Sequence, residues 1–295
     1  MSASPPAGER AALADEARTR ADEHAAGYGH ADGGDGLDDG DGLDDGDDGL
    51  DDDDAPAPSH LPEPLDRVPG GAWTAIAAIV VVVGVAQHLA FAPTSEAIGA
   101  GGSSTLAPLA IAYAALGALA FARIRARGES WMLRPRAGDL TLGALVAFVL
   151  YGLAVATHTL VTAQGSPRFA WVLRVYLALG DPRSDARHLV ALAAGVVGLL
   201  EELTWRGLVT PALERRVGAL RGGLLGAALF AIAHVPTAFA LGDPIAGPNP
   251  LVAGAALGCG LVWSYLRWRV DRLAPALISH ALFTWLVVEL PLVVR

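Results

Sequence analysis

Two adjacent carboxylates and an arginine lie at the end of an apolar stretch of this chain. Residues 188–200 form the apolar run, and Glu201, Glu202 and Arg206 follow it. Charged groups are costly at membrane depth, so they usually lie in a bundle interior or a water-filled cavity. On a helix, Glu202 and Arg206 share a face and can pair, whereas Glu201 lies about 100° away. The spacing predicts an ion pair beside a carboxylate that stays available for chemistry; charges at a membrane surface are the plainer alternative.

Two histidines lie inside later apolar segments, His234 in the middle of one and His280 near the start of the last. A carboxylate in an apolar cavity binds a proton more readily than it does in water, so Glu201 could act as a general base toward water. An imidazole N–H could stabilise the oxyanion that forms on an amide carbonyl. The same three residues could instead hold zinc, because two histidines and a glutamate are a known catalytic ligand set. Both alternatives indicate hydrolysis of a peptide bond inside the membrane.

The charge of the chain is divided between two unlike parts. Residues 1–66 hold 20 acidic residues and three arginines, whereas the rest holds 11 acidic residues and 18 arginines. A strongly acidic segment with few large apolar residues cannot bury enough surface to offset its conformational entropy. We therefore expect residues 1–69 to be a disordered acidic tail, whose partner the sequence does not identify. The single cysteine, Cys259, excludes an internal disulfide framework and a cysteine-based zinc site.

Seven apolar segments have about the length of a membrane-spanning helix, which needs ~20 residues. They cover residues 73–91, 105–122, 140–163, 188–209, 222–241, 251–268 and 273–294. The segment 169–179 is apolar but short, so we predict a partial helix that does not cross the membrane. The sequence thus predicts an all-α membrane protein, with a bundle of about seven to eight transmembrane helices behind a disordered acidic tail.

Glycines spaced four residues apart predict where these helices pack closely. Gly222 with Gly226, and Gly254 with Gly258, form such pairs. Small residues at this spacing let helix backbones approach each other in lipid. We expect both pairs to lie at helix contacts.

Three arginine clusters indicate the orientation of the bundle. They follow the second and fourth segments and precede the last one: Arg123, Arg125, Arg127, Arg134 and Arg136; Arg215, Arg216 and Arg221; Arg267, Arg269 and Arg272. The positive-inside rule places all three clusters in the cytoplasm, together with the N-terminus. In that orientation Glu201, His234 and His280 can meet in one cavity open to the cytoplasm. We expect a multi-pass protein of the plasma or inner membrane.

Three motifs, each on its own apolar segment, resemble the CAAX prenyl-protease and bacteriocin-processing family of intramembrane proteases, also called CPBP or Abi. They read Glu201-Glu202-x-x-x-Arg206, Phe230-x-x-x-His234 and His280-x-x-x-Thr284. The resemblance covers residues 188–294 and divides the membrane part into N-terminal helices over residues 70–186 and a catalytic core over residues 187–295.

The resemblance implies a role for each motif. Glu201 would activate the hydrolytic water together with His234. Glu202 and Arg206 would pair and shape the site. His280 and Thr284 would stabilise the oxyanion. The family usually has asparagine at the last position, and a threonine hydroxyl can donate only one hydrogen bond with a shorter reach. The departure at Thr284 leaves its oxyanion role the least supported of these.

The leading hypothesis is therefore an intramembrane endopeptidase of glutamate type. We expect it to hydrolyse a peptide bond in a membrane-embedded protein or a lipophilic peptide, with the lipid bilayer as a further partner. No nucleic acid and no cofactor is expected, and zinc at Glu201, His234 and His280 is the metal alternative.

Two other functions compete with this hypothesis. A catalytically degenerate immunity or scaffold protein would fit the departure at Thr284 and the acidic tail. A proton-coupled transporter could use the glutamate and histidines as a relay. Such a transporter predicts inverted repeats, which the hydrophobic pattern does not clearly contain.

Overall fold

A bundle of α-helices makes up the part of the chain that the computed structural model describes, namely residues 71–92, 103–163, 165–181 and 184–292. In chain order the helices are α1 (Gly71–Phe91), α2 (Ser103–Ala126), α3 (Asp139–Val161), α4 (Phe169–Leu179), α5 (Arg187–Thr204), α6 (Thr210–Val217), α7 (Ala219–Ala240), α8 (Leu251–Val270) and α9 (Ala274–Glu289). These described residues contain no β-strand, so the predicted all-α fold is confirmed. The predicted tail, residues 1–69, lies outside them.

Six of the described helices are long and apolar enough to cross a membrane. They are α1, α2, α3, α7, α8 and the continuous 31-residue stretch Arg187–Val217, which contains α5 and α6. Large apolar side chains cover their outward faces, as at Ile111 and Leu189, which are 72% and 71% exposed. An apolar surface of this extent suits contact with lipid rather than water.

The last predicted span is shorter than expected. Its helix, α9, has 16 residues, so it is about 24 Å long, against a hydrocarbon core of ~30 Å. The helix ends at Glu289 because Pro291 disfavours the helical conformation at Leu290, whose φ and ψ are −115° and 75°. The Glu289 carboxylate then lies 2.9 Å from His188 and 3.5 Å from Arg187 at the start of α5. Predicting a full span over residues 273–294 overlooked this proline.

The short helix α4 packs on one end of the bundle, as the sequence predicts for a helix that does not cross. The Tyr176 hydroxyl donates to the carbonyl of Val287 near the end of α9 (2.8 Å). The indole of Trp171 donates to the carbonyl of Gly247 in the α7–α8 loop (3.1 Å), and the Asn249 amide donates to the carbonyl of Trp171 (3.1 Å). All these partners lie where α9 ends and α8 begins, so α4 covers that end of the helices.

The α7–α8 loop is closed by Asp243. Its carboxylate accepts hydrogen bonds from the backbone N–H groups of Ile245 (2.9 Å) and Ala246 (3.1 Å), and Arg174 of α4 lies 3.4 Å away. The two backbone N–H groups are the main reason that the pKa of Asp243 lies below its usual range. The loop and α4 are thus joined by both backbone and charge contacts.

Only one of the two predicted glycine pairs lies at a helix contact. A Cβ atom on Gly222 would lie 2.6 Å from the backbone nitrogen of Glu214, and one on Gly226 would lie 2.6 Å from the hydroxyl of Thr210. Neither position therefore admits a side chain. No atom lies within 4 Å of the Cβ position of Gly254 or Gly258. The expectation for this second pair was wrong, because these glycines lie on an exposed face of α8.

Candidate active site

The first motif lies where the helix changes its winding. α5 ends at Thr204, residues Trp205–Val209 form one turn of π-helix, and α6 continues directly from it. In this turn the N–H of Thr210 donates to the carbonyl of Trp205, five residues earlier. Single π turns inside α-helices are rare and are frequent at functional sites. Here the π turn begins three residues after the second glutamate of the motif and contains its arginine.

Glu202 and Arg206 form the predicted ion pair. Arg206 Nη1 lies 2.9 Å from Glu202 Oε1, and both side chains are fully buried. Arg206 Nη2 donates to the carbonyl of Gly260 on α8 (2.8 Å). The guanidinium also lies 4.9 Å from the ring centroid of Phe230 and 5.6 Å from that of Trp263, close enough for favourable cation–π contact. The pair therefore compensates the buried charge and ties α5 to α7 and α8.

His280 connects the two adjacent carboxylates. Its Nδ1 lies 3.0 Å from Glu202 Oε1, and its Nε2 lies 3.2 Å from Glu201 Oε2. The imidazole stacks on Trp263, with centroids 3.8 Å apart and planes 20° apart, and the Trp263 indole donates to Ser279 Oγ (3.1 Å). These contacts fix the plane of the imidazole. To act as an oxyanion donor, as the resemblance implies, His280 would have to turn one N–H from a carboxylate to the substrate.

The orientation of His234 is set by its own helix. Its Nδ1 lies 2.7 Å from the carbonyl oxygen of Phe230, so Nδ1 carries the proton and Nε2 is the nitrogen left for chemistry. The Phe230 ring lies edge-on to both histidines, with its centroid 4.5 Å from that of His234 and 6.3 Å from that of His280. The structure thus gathers five predicted residues around Phe230, each less than a tenth exposed: Glu201, Glu202, Arg206, His234 and His280.

Thr284 lies one turn after His280 on α9 and is partly buried. It faces Gly198 on α5, where a Cβ atom would lie 3.0 Å from Thr284 Oγ1 and 3.1 Å from His280 Cδ2. Gly198 therefore allows α9 to approach α5 closely beside the site. Sequence reasoning overlooked this glycine, although the pair Gly195-x-x-Gly198 in the run before Glu201 was a usable signal.

We expect Gly198→Ala to destabilise the protein by about 1–3 kcal/mol, because the added methyl group overpacks the contact with Thr284 and His280. Thermal unfolding in detergent measures this change. Gly254→Ala is the matched control, since it adds the same methyl group to a helix where no atom lies within 4 Å. Its stability should stay at the wild-type level or rise slightly. Equal stability of the two variants would show that the contact at Gly198 does not constrain α9.

Tyr113 on α2 is a further site residue that sequence reasoning missed. It is fully buried, and its hydroxyl accepts a hydrogen bond from the indole of Trp205 (3.2 Å). Trp205 follows Glu201 by one helical turn, so the Tyr113 hydroxyl lies on the same side of α5 as the Glu201 side chain. The sequence offered no signal for it beyond one tyrosine in an apolar segment.

The zinc alternative finds little support in this geometry. Among the residues that the structure describes, no group of three or more His, Cys, Asp and Glu side chains is arranged to hold a metal ion. Each nitrogen of His280 faces a carboxylate oxygen, so His280 would have to release one of these contacts to bind zinc. A zinc ion at Glu201, His234 and His280 stays a prediction.

Comparison with protein families identifies the segment that contains the site. Residues 184–286 match the model of the family described as type II CAAX prenyl endopeptidase, Rce1-like. Searches among curated proteins and among solved structures each found no significant match. The matched segment begins just before α5 and ends within α9, so it includes all three motifs, whereas α1 to α4 lie outside it. Residues 184–286 are therefore similar to the Rce1-like type II CAAX prenyl endopeptidases, which confirms the resemblance that the three motifs indicate.

Proposed function

We propose that this protein is an intramembrane endopeptidase that hydrolyses a peptide bond in a membrane-associated protein or a lipophilic peptide, with a glutamate as the base. The observation that carries this proposal is the unequal environment of two adjacent buried carboxylates. Glu202 is held by Arg206 at 2.9 Å, whereas Glu201 faces His280 at 3.2 Å. The similarity of residues 184–286 to a family of endopeptidases supports the reaction class.

Glu201 is the proposed general base. As a water oxygen attacks the carbonyl carbon of the scissile bond, Glu201 accepts a proton from that water. The resulting tetrahedral intermediate collapses when the C–N bond breaks, and Glu201 returns the proton to the leaving amine. The products are a free carboxyl group and a free amino group. Arg206 engages the Glu202 carboxylate at 2.9 Å, so Glu202 shapes the site without taking part in proton transfer.

His234 is proposed to orient the attacking water. Because its Nδ1–H is donated to the carbonyl of Phe230 at 2.7 Å, its Nε2 can accept a hydrogen bond from the water. A water held by both Nε2 and the Glu201 carboxylate would be aligned before the substrate arrives, and such alignment lowers the entropic part of the barrier.

Thr284 is proposed to donate a hydrogen bond to the oxyanion, next to an N–H of His280. We expect Thr284→Val to lower kcat by about tenfold, since one donor to a developing charge is lost. Thr284→Asn should raise kcat, because the amide reaches further than the hydroxyl. Initial cleavage rates measure both changes, and Thr159→Val is the matched control at an exposed threonine of α3. Wild-type rates in both Thr284 variants would remove this residue from the mechanism.

The arginine-rich end of the bundle is proposed to face the cytoplasm of a plasma or inner membrane. Contacts between the loops at this end support the grouping of the three arginine clusters. Arg267 lies 2.6 Å from Glu214 at the end of α6, and Arg272 lies 2.5 Å from Asp139 at the start of α3. The backbone N–H of Leu273 donates to the carbonyl of Met132 (2.9 Å). Positive charge gathered in this way favours the cytoplasmic side.

The proposal is tested by comparing the termini of membrane proteins in cells that carry the wild-type chain or Glu201→Gln. We expect at least one new terminus to depend on Glu201 and to survive in cells that carry Glu214→Gln, a substitution outside the site. The sequence around that terminus identifies the substrate and tells whether it carries a prenyl group, another lipid or a spanning segment. Identical termini in wild type and Glu201→Gln would instead favour the degenerate immunity or scaffold protein that the threonine at position 284 suggests.

A further inference from the structure

We infer that Tyr113 is a positioning residue that holds the Glu201 carboxylate in its working orientation. This inference rests on the proposed function and extends the site to α2, outside the segment 184–286 that matches the endopeptidase family. It gives the N-terminal helices a part in the reaction, beyond packing around the catalytic core.

The Tyr113 hydroxyl has a proton of its own to donate. Tyr113 and Trp205 are both 0% exposed, and the Trp205 indole, which can only donate, lies 3.2 Å from the Tyr113 oxygen. The tyrosine is therefore the acceptor in that pair, and its own proton needs an acceptor elsewhere. A buried hydroxyl without an acceptor is costly. Glu201 lies one helical turn before Trp205 on the same helix, so its carboxylate is on the side of α5 that Tyr113 faces and is the inferred acceptor of this proton.

Glycines allow α2 to approach α5 closely beside Glu201. A Cβ atom at Gly117, one turn after Tyr113, would lie only 3.0 Å from a methyl group of Leu200, the residue before Glu201. Further along, Ile124 of α2 packs against Gly207 in the π turn, where a Cβ atom would lie 3.2 Å from its side chain. Two glycines on opposite sides of this interface thus bring the helices together beside the glutamate.

Partners on two helices would fix the Glu201 carboxylate. His280 of α9 lies 3.2 Å from Oε2, and the inferred second partner is Tyr113 of α2. A carboxylate with a single partner can rotate about its last bond, whereas partners on two helices fix the plane of the group. Catalytic groups need this fixation, since small displacements of a base cost much of its rate. Because Tyr113 is inferred to act on the base rather than on the substrate, its loss should affect kcat rather than KM.

The experiment uses the full chain in lipid nanodiscs and a quenched-fluorescent peptide that spans the cleavage site found in the terminus comparison. We expect Tyr113→Phe to lower kcat by about tenfold to a hundredfold with KM unchanged, the size expected for losing one hydrogen bond to a charged group. Tyr176→Phe is the matched control. It removes a buried hydroxyl outside the site, which donates a hydrogen bond of 2.8 Å to the carbonyl of Val287. It should keep the wild-type kcat.

The outcomes separate this inference from the proposed function. If no terminus depends on Glu201, the proposed function fails and the inference falls with it. If a terminus depends on Glu201 but Tyr113→Phe keeps the wild-type kcat, or raises KM alone, only the inference is overturned. If Tyr113→Phe does not fold, 4-aminophenylalanine at position 113 retains a donor. Recovery of most of the wild-type kcat with that residue supports the inference, and failure to recover it overturns it.

Discussion

Glu201→Gln is expected to lower kcat by about three to four orders of magnitude while the protein still folds. Glutamine has nearly the shape of glutamate but cannot accept a proton from water, so the chemical step loses its base. The fold should tolerate the change, because the substitution removes one of two adjacent buried carboxylates and leaves the pair of Glu202 with Arg206 intact. Cleavage of the quenched-fluorescent peptide in nanodiscs gives kcat, and thermal unfolding in detergent gives stability.

Glu214→Gln is the matched control for this loss of a carboxylate. Glu214 pairs with Arg267 at 2.6 Å, but the two side chains are 19% and 10% exposed and lie away from the cluster around Phe230. Because this pair lies outside the site, the variant should keep its kcat, and the thermal unfolding measurement shows how much stability it loses. Comparable losses of kcat in the two variants would argue that Glu201 acts through the fold and not as the base.

The site was predictable where side-chain chemistry and spacing coincide in the sequence. Glu202 and Arg206 pair as their spacing requires, and both histidines lie within the same cluster around Phe230. Charged and polar residues inside apolar helices are informative because burial without a partner is costly. Each such residue therefore implies a polar partner nearby. Five of the six predicted residues contact one another or the ring of Phe230.

Features that depend on which helix lies next to which were not predictable in this way. Tyr113 is one of many residues that fit an apolar helix, and the close approach of α2 to α5 at Gly117 places it beside Trp205. Gly254 and Gly258 have the spacing of a packing pair, yet they lie on an uncovered face of α8. The spacing of small residues shows that another helix could pack closely there. Whether a helix does so depends on how the whole bundle assembles.

The length of α9 and the π turn were also difficult to predict, because each depends on a few residues that hardly change the hydropathy of the segment. Pro291 ends α9 early, and this signal was present in the sequence. The π turn at Trp205–Val209 has no comparable signal. It adds one residue to a turn that contains Arg206. The pair with Glu202 is local to this helix, whereas the contact of the guanidinium with the carbonyl of Gly260 forms only when α8 is in place.

The largest expected effect on stability comes from Arg206→Met. This substitution leaves the Glu202 carboxylate, which is 0% exposed, without its cation and leaves the carbonyl of Gly260 without its donor. Breaking a buried ion pair by removing one partner costs about 3–5 kcal/mol. The double variant Glu202→Gln/Arg206→Met should recover part of this loss, because it removes the uncompensated charge. Unfolding in mixed micelles by SDS measures both free energies.

Arg272→Met is the matched control for the loss of an arginine. Arg272 also holds a carboxylate, that of Asp139, but the Arg272 side chain is 15% exposed, and Asp139 keeps a second partner in the backbone N–H of Arg136 at 2.7 Å. A smaller destabilisation than that of Arg206→Met is expected for this reason. If the double variant is no more stable than Arg206→Met alone, the cost does not come from an uncompensated Glu202. The cation–π contacts of Arg206 with Phe230 and Trp263 would then be what holds α5 against α7 and α8.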